Sequence, residues 1–191
     1  MNLDLLFAII FYSIIVILFF KYRSRFEVQG KIVALFKTQL GIKWMDKLSN
    51  IAPRTTAVIG HIGSIVGFIG MAMILFLLVK GTFALLFIPD APPAVAPVLP
   101  GVSVPGLPNL SFWHWIIAIF IVATVHEFSH GIWARLYKIK IKSSGFLFFG
   151  PILGAFVEPE EKDLAKKSKP AQLAVFAAGP FSNIVLGLVF V

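Results

Sequence analysis

The chain has 191 residues, 58% of them hydrophobic, and a formal net charge of +8, with a mean hydropathy of +0.90. Soluble domains are about 45–50% apolar, so a water-soluble globular domain is excluded, and the absence of cysteine excludes a disulfide framework and any thiolate metal site. The basic residues fall in two blocks, 21–54 and 135–169, with Lys80 alone outside them. Blocks that flank apolar runs suit a lipid bilayer, and no nucleic acid partner is expected.

The expected fold is an all-α polytopic membrane protein with about four transmembrane helices and a re-entrant β-hairpin. The first span covers residues 5–20, just long enough to cross at ~1.5 Å per residue. Asp4 precedes it and Lys21 follows it, the reverse of a signal peptide, so it is expected to remain as an anchor. In the basic stretch that follows, Val33, Phe36, Leu40 and Trp44 recur at helical spacing. That stripe predicts an interfacial helix ending near Met45, with a solvated linker as the alternative.

The second span covers residues 55–79. Gly60, Gly63, Gly67 and Gly70 lie along one helix face, where small residues let membrane helices approach closely. His61, near its start, is expected to be interfacial or hydrogen-bonded. Residues 81–109 carry seven prolines, which forbid a regular helix and predict a loop.

The third span covers residues 111–134, with Trp113 and Trp115 at its outer interface. Its second half holds His126-Glu127-Phe128-Ser129-His130. Histidines at i and i+4 lie on one helix face and suit one zinc ion, with the glutamate beside it as general base. Zinc brings the pKa of a bound water to about 7 and polarises a carbonyl. Ionisable side chains at membrane depth are costly and mark function.

Residues 145–157 form two apolar runs joined at Gly150-Pro151, too short for a crossing helix, and predict a re-entrant hairpin. A charged segment spans residues 158–169. The fourth span starts near Ala171 and carries Asn183 at depth, beside Pro180, which is expected to kink it. Three regions are expected: residues 1–54, an anchor and basic segment; residues 55–110, a helix and outer loop; and residues 111–191, the core. With both basic blocks cytoplasmic, the N-terminus lies outside. The motif begins about fifteen residues, ~22 Å, into the third span, in the cytoplasmic half of the bilayer.

These motifs in combination resemble the site-2 protease family of intramembrane zinc metalloproteases. His126-Glu127-Phe128-Ser129-His130-Gly131 resembles its metal motif. Gly154-Ala155-Phe156 resembles the edge strand of its hairpin, Glu158-Pro159-Glu160-Glu161 the acidic start of its next segment, and Ala178-Gly179-Pro180-Phe181-Ser182-Asn183 its Gly-Pro-x-x-Asn helix. The resemblance implies Zn2+ on His126 and His130, Glu127 as the catalytic base, and Gly154, Ala155, Phe156 and Asn183 as substrate-binding residues. It implies that the partner is a transmembrane segment of another protein, cut within its helix. An unpaired strand edge suits an unwound peptide, and for Asn183 a plain packing role is the alternative.

One departure is serious. The family's third zinc ligand is an aspartate on a later helix, and no Asp follows Asp163 here. The expectation is a part of a longer protein that binds zinc weakly and is poorly active as it stands. A non-catalytic membrane scaffold is the principal rival. A transporter would need more intramembrane charge than Glu127 and two histidines supply.

Overall fold

The computed structural model describes residues 3–30, 33–89, 91, 95, 99–100, 110–149 and 152–190. The Gly150-Pro151 turn and most of the proline-rich segment lie outside them. Among the described residues four helices are long and apolar enough to cross a membrane: α1 (Leu3–Lys21), α3 (Pro53–Phe87), α4 (Phe112–Leu136) and α6 (Lys169–Val189). The shorter elements are β1 (Phe26–Gln29), β2 (Val33–Thr38), α2 (Ile42–Ile51), β3 (Ile141–Phe149), β4 (Ile152–Pro159) and α5 (Glu161–Ala165). In the most apolar stretch of α1 none of the residues is buried, and in that of α3 only 6% are. Uncovered apolar faces on this scale need lipid as their solvent, so the protein is a polytopic membrane protein.

The interfacial helix expected from Val33, Phe36, Leu40 and Trp44 does not form as such. Residues 33–38 are strand β2, and the helix starts only at Ile42. Two causes act together. Gly41 takes φ +81°, which breaks any helix through it, and β3 offers a partner with Val33 opposite Phe149 and Thr38 opposite Ser144. A short apolar run reads equally well at either period, and pairing decided it. The re-entrant hairpin is therefore the second half of a four-stranded antiparallel sheet, ordered β1-β2-β3-β4. Its strands are longer than expected, 141–149 and 152–159.

The second span also exceeds its expected end. α3 runs through Lys80 and Gly81 to Phe87. One glycine costs a helix only about 1 kcal/mol, and the first proline after it is Pro89, so the helix continues until the residue before a proline is turned away from the helical region.

Close helix approach is achieved as the glycine stripe suggested. A Cβ on Gly60 would strike Trp133 of α4, one on Gly63 would stand 3.1 Å from the Phe181 ring of α6, and one on Gly67 3.7 Å from Ala177; Gly70 faces nothing within 4 Å. α2 buries Met45 against the bare Gly131 of α4, and Asp46 pairs with Arg135. The last turn of α4 closes in a Schellman motif: Ile139 N–H reaches the Ala134 carbonyl at 2.8 Å and Lys138 N–H the Arg135 carbonyl at 2.9 Å. Lys138 takes the left-handed position at φ 56°. Ile139 and Ala134, both fully buried, pack together with Val175, which fixes α6 against the end of α4.

Candidate metal centre

His126, Glu127 and His130 stand on one turn of α4, each half-buried, with one ligand atom from each lying within 4.8 Å of the others. The two imidazole centroids are 4.8 Å apart and the rings nearly perpendicular, at 75°. α6 supplies the opposite wall with one stripe, Val175, Gly179 and Asn183, spaced four residues apart and so on one face. The Val175 carbonyl lies 2.6 Å from His130 Nδ1. A carbonyl only accepts, so Nδ1 carries a proton, and in the neutral ring this leaves the lone pair on His130 Nε2. The Asn183 amide sits 3.0 Å from His126 Nδ1, and its Oδ1 is buried without a partner.

With both Nδ1 atoms engaged, both Nε2 atoms point at Gly179. A Cβ built there would lie 2.5 Å from His126 Nε2 and closer still to His130 Nε2. Glycine thus keeps open a cradle, bounded by two imidazole nitrogens, that any side chain would fill. Imidazole suits zinc, and the Val175 carbonyl on His130 Nδ1 is the kind of partner that fixes the orientation of a metal-ligating histidine; at His126 the Asn183 Nδ2 amide donates to Nδ1. The residues present fit a metal ion through two nitrogens, with a carboxylate beside them.

Glu127 is tied to the sheet, its Oε2 accepting the Val157 N–H at 3.1 Å. That N–H is not spent on β3, so Val157 sits at a pair whose backbone groups face away from its neighbour strand. The two-residue alternation of an antiparallel ladder turns Ala155 and Leu153 the same way. β4 is an edge of the sheet, and this outward row runs along α4 from Glu127 toward its start, where Ile152 and Leu153 pack on Phe112, Trp115 and Ile116.

Ala155 and Phe156 line a cavity of ≈330 Å³ together with Glu127 and Thr124. Gly154 is buried, its missing side chain facing Ala123 at 3.9 Å. His130 opens on the opposite side into a cavity of ≈590 Å³ bounded by Val157, Glu158 and Val175. His126, Glu127, His130, Gly154, Ala155, Phe156 and Asn183 thus gather around α4. Among the described residues no further His, Asp or Glu joins the cluster; His61 is exposed on α3, and His114 bonds Ser111 at 2.6 Å.

Three contributors have no sequence signal of their own. The Val175 carbonyl and the Val157 N–H are backbone groups, and Gly179 lies inside a recognised motif without its facing direction being legible.

At the base of the sheet, Lys37 bridges Glu27 at 2.7 Å and Glu158 at 3.4 Å. Glu158 also accepts the Ser143 hydroxyl at 2.7 Å. That hydroxyl, aided by Lys37 and Lys142, holds the Glu158 carboxyl below the usual carboxylate value, and Glu27 raises the Lys37 ammonium above its own.

Two histidines one helical turn apart on an apolar helix, flanked by a carboxylate, form a cluster able to hold a metal ion. The family model of peptidase family M50 matches residues 114–191, the segment that holds this cluster, so this part of the chain is similar to that family. Over 98% of its length the chain is 32% identical to an uncharacterized protein of Methanocaldococcus jannaschii, and it spans about half, 51%, of that protein. No solved structure matches.

Proposed function

We propose that this protein is an intramembrane zinc endopeptidase that hydrolyses peptide bonds within transmembrane helices of membrane-tethered proteins. The observation that carries this is the shared cradle: two Nε2 atoms converge on Gly179 with Glu127 one residue away on the same turn. His126 and His130 would hold zinc, which when bound supplies Lewis acidity to a water and to the scissile carbonyl. Metal ligation at His126 Nε2 requires the proton on Nδ1, and Asn183 Oδ1, otherwise unpaired, is placed to accept it once the amide turns over. The third ligand implied by the family resemblance, an aspartate, is not supplied by these residues.

Glu127 takes the proton of the attacking water and returns it to the leaving amine. Val157 N–H holds its carboxylate toward β4. The substrate segment must unwind before attack, because a helical peptide bond is shielded by its own hydrogen bonds. The outward groups of Leu153 and Ala155 offer it replacement partners by strand addition, with Gly154, Ala155 and Phe156 forming the platform. The N-terminus lies outside and the site in the cytoplasmic half of the bilayer, on the strength of the basic blocks.

The test is cleavage of a membrane-helix substrate in vesicles, with metal content measured in parallel. Glu127→Gln should cut turnover by about 10²–10⁴-fold and leave bound zinc unchanged, whereas His126→Ala should lose the zinc. Equal turnover by Glu127→Gln and wild type removes the glutamate from the mechanism. The incomplete ligand set favours a second reading, a non-catalytic scaffold; zinc binding without turnover in any reconstituted form would select it.

A further inference from the structure

A second apolar groove lies away from the metal cluster, between α1 and the sheet. Its volume is ≈620 Å³. Ile15 and Phe19 of α1 form one wall, and Ala34, Phe146 and Leu153 of the sheet form the other; no charged side chain lines it. Along α1 the lining runs from Phe11 to Phe20, roughly 14 Å at helical rise and so close to the depth of one bilayer leaflet.

One end of the groove is closed by the turn that joins its walls. Phe20 is the last lining residue of α1 and Phe26 the first of β1, and residues 21–25 connect them. Lys21, Arg23 and Arg25 are all exposed in that turn. The ion pairs of the described residues take in Lys37, Arg135 and Lys142 and leave these three cations out. The nearby acid, Glu27, is held by Lys37. Lys21 and Arg25 instead bracket the Tyr22 ring at 5.5 and 5.9 Å.

The apolar lining and the cations at one end decide the occupant. An acyl chain is slender, apolar and one leaflet long. The cations at the closed end call for an anion at the depth where a phospholipid carries its phosphate.

We propose that this groove binds one anionic phospholipid, with an acyl chain between α1 and the sheet and its phosphate against Lys21, Arg23 and Arg25. Phe120 and Phe146, stacked with centroids 6.2 Å apart, line both this groove and the Glu127 cavity. The bound chain therefore backs the wall of the cavity that holds Glu127.

The experiment titrates delipidated, detergent-purified protein with dioleoyl phosphatidylglycerol, dioleoyl phosphatidylcholine and inorganic phosphate. Bound lipid is read by native mass spectrometry and protection by thermal unfolding. Wild type should bind the glycerol lipid about a hundredfold more tightly than the choline lipid, with inorganic phosphate giving no protection. Each cation changed to Gln should cost about fivefold, and Lys21→Gln/Arg23→Gln/Arg25→Gln together should bring the two lipids level. Ile15→Trp, which fills the groove, should weaken both lipids while the circular dichroism stays helical. Undiminished phosphatidylglycerol binding by the triple variant overturns the proposal. So does protection by inorganic phosphate equal to that by the lipid, or stoichiometric displacement of the lipid by a membrane-helix peptide. None of these readouts needs proteolysis, so failure here is separable from failure of the protease reading.

Discussion

Gly179→Ala is the sharpest probe of the metal centre. The added methyl would stand 2.5 Å from His126 Nε2 and closer to His130 Nε2, where ordinary contact begins at 3.4 Å. Relief requires a shift of about 0.9 Å, whereas metal–ligand distances tolerate only ~0.2 Å. Neither ring is free to swing, because Val175 and Asn183 hold the two Nδ1 atoms. Overpacking of this kind costs about 1–3 kcal/mol. Loaded onto metal binding, that is roughly 5–150-fold weaker zinc affinity. Chelator competition on detergent-purified protein measures it directly. Gly187→Ala is the internal control, since a Cβ there meets nothing within 4 Å on the same helix; it should leave affinity unchanged. If Gly179→Ala holds zinc as tightly as wild type, the two Nε2 atoms do not share a metal in front of Gly179, and the cradle is wrong.

Other outcomes follow from the same geometry. Asn183→Ala strips His126 Nδ1 of its partner and should weaken zinc about 10–100-fold with little change in thermal stability, read by the same competition. Because Glu158 titrates below its ordinary value near 4.5, its contribution to the base of the sheet is complete above that value and is lost as pH falls through the lowered one. Destabilisation of β3 and β4, read by hydrogen exchange, should therefore set in only below about pH 4.5, and Ser143→Ala, which brings the folded-state carboxyl back toward its ordinary value, should shrink that loss. Lys37 behaves oppositely: its contribution is complete below its ordinary 10.5 and disappears as pH rises past the elevated value. Lys138→Gly relieves a left-handed backbone and should stabilise the protein by about 1 kcal/mol in chemical denaturation; a loss of stability would mean that the lysine side chain matters more than its backbone.

Hydropathy alone located the four spans, since apolar length is a local property that no partner can change. Spacing along one helix put His126, Glu127 and His130 on a single face for the same reason. The glycines of α3 were legible as an approach surface, though not which helices they would meet. The strands of residues 26–38 were not legible, because their apolar spacing suits two periods and the deciding partner, β3, lies about a hundred residues away. The cradle was hidden for a related reason: Val175, Gly179 and Asn183 acquire their roles only when α6 packs on α4 through Val175, Ala134 and Ile139. Local patterns of side chains say which faces exist; which atoms finally confront each other depends on how distant faces bury one another.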